Sequence, residues 1–108
     1  MTAGKIIVFN RLWVNGMALF PFILIKRHSD SENQILINHE RIHLRQQLEL
    51  LILPFYFIYI FCFLFNLMRY HNKRKAYLNI PFEREAFKND SNLNYLTQRK
   101  SFAFFNYI

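Results

Sequence analysis

Residues 37–47 read INHERIHLRQQ, and this stretch decides how the chain is expected to fold. His39 and His43 are four residues apart, so on an α-helix their side chains project from one face, one turn apart. Ser29 and Glu32 stand upstream in capping-box spacing, which indicates a helix start. We therefore predict a helix that runs through ILINHERIHLRQQLELL, residues 35–51.

The pattern H-E-x-x-H on a helix is typical of zinc sites. Both imidazoles can reach one Zn²⁺ at about 2.0–2.1 Å. Glu40, next to His39, lies beside the metal rather than on it, where it can take a proton from a water molecule that zinc has made more acidic. The motif predicts His39 and His43 as metal ligands and Glu40 as the catalytic base.

A catalytic zinc needs a third protein ligand from elsewhere in the fold. Among the seven acidic residues, the distant candidates are Glu83, Glu85 and Asp90. Pro81 is placed to open a second helix that carries FEREAF, residues 82–87. Glu83 and Glu85 are about 200° apart around such a helix, so only one of them can face the metal. We predict Glu83, with Glu85 as the alternative.

Residues 50–68, LLILPFYFIYIFCFLFNLM, form an apolar run without charge, bounded by basic residues. Its length suits a membrane helix of about 20 residues, and Pro54 is expected to kink it. A single crossing would separate His39 from Glu83, and a return through lipid would carry cations across the hydrocarbon. The sequence therefore favours a monotopic arrangement over a single-pass one.

Composition agrees with membrane association. The 108 residues are 53% hydrophobic with a formal net charge of +7, and Lys and Arg flank apolar segments instead of forming one stripe. This pattern favours anionic lipid headgroups over nucleic acid. We expect one domain over residues 1–108, mainly α, in which the motif helix continues into the kinked apolar helix. Apolar runs at 6–9 and 12–25 predict short N-terminal strands or an interfacial segment.

INHERIHLRQQ followed by FEREAF resembles a reduced gluzincin, the metallopeptidase group with HExxH and a distant helical glutamate. The resemblance implies a minimal zincin-like fold, a Zn²⁺ cofactor, a peptide or protein substrate, and Glu83 as ligand with Ala86 as the small residue between two helices. Phe87 stands where that group has Asp or Asn, which removes an expected partner of a zinc-bound histidine. The chain is also similar to a family of short membrane proteins from Bacteroidetes, which implies a bacterial inner membrane.

Two departures from the gluzincin pattern, Arg41 and Phe87, keep a second interpretation open. In it the chain is a small basic membrane protein without catalysis, whose histidines and acids only form ion pairs. A related alternative is a surface that binds lipid or a partner helix. Bound metal separates the peptidase from these alternatives.

Overall fold

A three-stranded sheet precedes the helices in the computed structural model, which describes residues 4–108. The predicted domain also includes residues 1–3, which lie outside the described part. The strands are β1 (Lys5–Val8), β2 (Gly16–Leu19) and β3 (Phe22–Ile25). β3 lies in the middle, parallel to β1 and antiparallel to β2. Short strands were expected here, and β2 is an edge strand with one free side.

Helix α1 (Gln34–Glu49) carries the HExxH motif. Its first turn is capped by Asn33, whose side-chain oxygen accepts a hydrogen bond from the backbone N–H of Leu36. The predicted capping box of Ser29 and Glu32 is wrong, because both residues lie in a separate 3-10 helix, His28–Glu32. An asparagine directly before the helix satisfies a free backbone N–H without help from that upstream turn.

Helix α2 (Leu53–Tyr70) is separate from α1, so the prediction of one continuous kinked helix over this region is wrong. Leu51 and Ile52 have φ values of 62° and 65°, in the left-handed region, and they turn the chain between the helices. Pro54 lies in the first turn of α2, where its missing N–H breaks no helical hydrogen bond. The proline therefore opens the helix rather than bending it.

The chain then turns back along α2. Three further helices follow, α3 (Lys73–Leu78), α4 (Pro81–Asn89) and α5 (Tyr95–Gln98), and the described chain ends with a 3-10 helix at Ala103–Tyr107. Pro81 opens α4, as predicted. The Asn66 side chain of α2 donates a hydrogen bond to the Ala76 carbonyl, which ties α3 to the second half of α2. The fold is mainly helical with a small sheet.

Two apolar clusters stabilise these elements. One joins the sheet to α1 and the other joins α2 to α4 and the C-terminal 3-10 helix. The first contains Ala18, Ile23, Ile25, Ile37 and Leu44, and the second contains Phe55, Ile80, Phe82 and Phe104. The interface of α1 with α4 brings the HExxH motif to the FEREAF helix.

Candidate metal centre

Three side chains converge where α1 meets α4. The Nε2 atoms of His39 and His43 are 3.2 Å apart, and each is 3.0 Å from Oε1 of Glu83. Ligands 2.0–2.1 Å from a tetrahedral zinc ion are about 3.3 Å from one another. All three residues are buried, and the group could hold a metal ion.

Contacts of α4 fix the orientation of the Glu83 side chain at the two histidines. Pro81 fixes the helix start, so Glu83 lies in the first turn. Its second oxygen, Oε2, accepts a hydrogen bond from the Tyr59 hydroxyl of α2, which leaves Oε1 for the histidines. Ala86, the small residue that the resemblance places between two helices, is fully buried on α4.

The Nδ1 atoms of both histidines, on the far side of each ring from the converging donors, have hydrogen-bond acceptors. Nδ1 of His39 is 3.0 Å from Oδ2 of Asp90, and Nδ1 of His43 is 2.7 Å from Oε1 of Gln46. An acceptor at Nδ1 keeps the N–H there and leaves the Nε2 lone pair for a metal. The expectation that Phe87 leaves a histidine without such a partner is therefore corrected, because Asp90 supplies the carboxylate.

We expect Asp90→Asn to weaken zinc binding by about 10- to 100-fold, the usual effect of losing a partner of a zinc-bound histidine. Competition with a chromophoric chelator measures the affinity. Asp30→Asn is the matched control, because Asp30 lies in the 3-10 helix before α1 and should leave the affinity unchanged. An Asp90→Asn protein with parental affinity would show that Asp90 does not support the site.

Glu85, the alternative ligand, lies in a different set of contacts. It is fully buried and accepts hydrogen bonds from Gln46, Tyr95 and Arg99. Arg99 also forms a two-bond ion pair with Glu49 of α1. The structure thus brings Glu83 to the histidines and holds Glu85 in an ion-pair network that connects the C-terminal segment to α1 and α4.

Sequence reasoning missed the roles of Asp90, Gln46 and Arg99. Gln46 is three residues after His43, and this spacing on a helix could have identified the pair. Asp90 is seven residues after Glu83, on the same face of α4 two turns later, and this spacing could have indicated that it lies near the metal. Arg99 is fifty residues from Glu49 in sequence, and no local pattern indicates such a contact.

Glu40 borders a cleft of about 910 Å³ that contains the three donor groups. Glu40 is 6% exposed, and within residues 4–108 its carboxylate forms no hydrogen bond or ion pair. In that part of the chain the fully buried polar side-chain atom without a partner is Oδ2 of Asp30, so the Glu40 oxygens open onto the cleft. The cleft is also bordered by the free side of β2. A Cβ atom at Gly16 would lie 3.3 Å from Oε2 of Glu40, so the absence of a side chain there lets the strand approach the acid.

Burial and the neighbouring charges set the protonation of these groups. Burial raises the pKa of Glu40, and the charges of His43 and His39 oppose this effect. Burial alone would raise the pKa of Glu83, but the two histidines hold it well below its usual range. For His43, burial lowers the pKa, yet the Glu83 carboxylate outweighs it and raises the pKa to about 9. A metal ion that binds here competes with protonation of His43, because Nε2 of His43 would bind either the ion or a proton.

Arg41, the charged residue inside the motif, stays outside this group. It is exposed, and its Nε atom lies 3.3 Å from the position that a Cβ atom would take at Gly4. Arg41 and Ile6 line a separate depression that contains none of the three donors. The arginine therefore does not block the cleft.

Comparisons with protein-family models, with curated proteins and with solved structures found no match to this chain.

Proposed function

We propose that this protein is a membrane-associated zinc metallopeptidase of the gluzincin type. His39, His43 and Glu83 are the proposed ligands, and Glu40 is the proposed general base. One observation carries the proposal: three buried donor atoms are spaced as around a tetrahedral zinc ion, in a cleft onto which the unpaired carboxylate of Glu40 opens.

The donor set favours zinc. Two imidazoles and one carboxylate, with a further position open, are the usual ligands of a catalytic zinc, whereas Mg²⁺ and Ca²⁺ prefer oxygen ligands. When bound, zinc polarises a carbonyl and makes water more acidic. Glu40 is close enough to the histidines for their charges to act on its pKa, and it can accept the proton that the attacking water loses.

The arrangement around the cleft supports a peptide as substrate. β2 is an edge strand, and an extended peptide can add to such an edge through main-chain hydrogen bonds. Gln47 and Tyr56 already donate hydrogen bonds to the Ala18 carbonyl, so the open part of the edge lies toward Gly16 and Glu40. A small sheet, the motif helix α1 and the glutamate helix α4 together form the proposed minimal zincin-like unit.

Membrane association is proposed from α2, which is long and apolar enough to cross a bilayer. Its mean hydropathy is 1.4, and of its eighteen residues only Phe55 and Asn66 are buried. A water-soluble protein of this size rarely leaves so much apolar surface exposed.

We expect protein purified in detergent to contain about one Zn²⁺ per chain by elemental analysis. It should cleave a fluorogenic peptide mixture, lose this activity on chelation and regain it when zinc is added back. Protein that takes up no zinc, and whose melting temperature zinc does not change, would contradict the metal site. Protein that holds zinc but cleaves no peptide in this mixture would instead favour the non-enzymatic alternative.

A further inference from the structure

We propose that α2 lies parallel to the membrane plane, with its outer face in one leaflet of an anionic lipid bilayer, and that the metal cleft stands at headgroup level. The inference rests on the proposed membrane association and does not require peptidase activity. It identifies the contact surface and the height at which a substrate would meet the site.

The two sides of α2 differ in how far their side chains are exposed. Its inner side carries Phe55, Tyr56, Tyr59 and Phe63, which line the metal cleft. The opposite side is defined here as the outer face of α2, and its large apolar residues are 41–76% exposed. These residues are Leu53, Phe57, Ile58, Ile60, Phe61, Leu64, Phe65 and Met68. An apolar face of this length on one side of a helix is typical of helices that lie in the membrane interface.

The chain that follows α2 argues against a crossing. Glu83 accepts a hydrogen bond from Tyr59, and α3 is tied to α2 at Asn66, so both α3 and α4 lie beside the apolar helix. If α2 stood upright in the bilayer, the cations of α3 and the acids of α4 would lie at hydrocarbon depth, which is costly. With α2 in the plane of the membrane, these elements stay on its wet side.

Positive charge at the C-terminal end of α2 indicates an anionic surface. Arg69 and Lys75 both place their cationic groups over the ring of Tyr70, at 5.2 Å and 4.6 Å from its centroid. Both cations are exposed. Aromatic rings next to exposed cations are usual at the lipid headgroups.

This orientation sets the height of the metal centre. The cleft lies on the side of α2 opposite to the outer face, so about one helix diameter, 10–12 Å, separates the donors from the buried lipid-facing side chains. The acyl region then ends below the cleft. A peptide segment close to the membrane surface, and not one inside the hydrocarbon, is the substrate that this placement favours.

Spin labels along the outer face test the orientation. Phe57, Phe61 and Phe65 are four residues apart, so cysteines at these positions, one at a time in a Cys62→Ser background, carry labels about 6 Å apart along the helix. Labelled protein is bound to vesicles of mixed zwitterionic and anionic phospholipid. Collision rates with oxygen and with a water-soluble nickel complex give the depth of each label. Leu93→Cys, an exposed position after α4 that lines the depression with Arg41 and Ile6, is the aqueous control.

A helix in the plane gives nearly equal depths at the three positions, below the headgroups. A crossing helix gives a depth series that spans about 12 Å, and this result would overturn the inference. Protein that does not float with vesicles of any composition in a density gradient would instead refute the proposed membrane association. A lipid-free dimer that protects the three positions from the nickel complex would identify a second copy as the occupant of the face.

Charge is tested separately. Lys75→Gln should reduce partitioning onto anionic vesicles about fivefold and leave partitioning onto purely zwitterionic vesicles unchanged. Lys100→Gln, an exposed lysine in the C-terminal segment, is the control and should have a smaller effect. Equal partitioning of parent and Lys75→Gln on anionic vesicles would remove the anionic leaflet from the proposal.

Discussion

Zinc content is expected to fall from about one ion per chain to near zero when His39 or His43 is replaced by alanine. Each substitution removes one of three donors, and two protein ligands rarely hold zinc against a chelator. Dialysis against a mild chelator followed by elemental analysis measures the loss. The circular dichroism of each variant shows whether the helices remain.

The third ligand is tested by two glutamates on one helix. Glu83→Gln should lose zinc nearly as completely as the histidine variants, because its Oε1 is one of the three converging donors. Glu85→Gln should keep its zinc and instead lower the melting temperature, because it weakens a buried ion pair with Arg99. The opposite order, with zinc lost only from Glu85→Gln, would show that Glu83 is not the ligand.

Replacing Glu40 by glutamine is expected to lower peptidase activity by a factor of roughly 10²–10⁴, the usual contribution of a positioned general base. Glutamine has nearly the same volume as glutamate but cannot accept the proton. Glu40 has no hydrogen-bond partner in the described residues that the amide would disturb, so the fold and the zinc content should persist.

The assay compares kcat/KM of Glu40→Gln with that of Glu32→Gln, an exposed glutamate outside the cleft that should behave like the parent. Zinc content and melting temperature are measured on the same samples. A Glu40→Gln protein that cleaves peptides as fast as the parent would exclude Glu40 as base. One that loses its zinc would make Glu40 a ligand.

Much of the site could be predicted because helical spacing is local information. His39, Glu40 and His43 lie within one helical turn and a half, and Pro81 marked the helix on which Glu83 reaches the pair. The choice of Glu83 over Glu85 followed from a motif register, and the structure shows a physical basis for it: Arg99 engages Glu85.

Two kinds of feature could not be predicted from the sequence. One is contacts between residues far apart in the chain, and the other is backbone conformations that the residue at that position normally avoids. Leu51 and Ile52 follow a leucine-rich helix without a glycine, so nothing local indicated that they take positive φ values and end α1. Asp90 meets His39 across fifty-one positions, and its role depends on where α4 ends. α1 and α4 meet beside the apolar helix, so His39 and Glu83 are in contact, and the monotopic arrangement stays a prediction.

The division of the apolar core into two small clusters has a thermodynamic consequence. Much of the contact between α1 and α4 consists of imidazole, amide and carboxylate groups. Burial of such groups contributes little to the free energy of unfolding, even when they are hydrogen-bonded. A domain of about 100 residues with such an interface has a small margin of stability. Any ion held by both helices adds its binding free energy to that margin and links their unfolding. Cooperativity between the sheet half and the helical half of this molecule would then depend on metal supply, so that starvation for the ion loosens the fold as well as emptying the site.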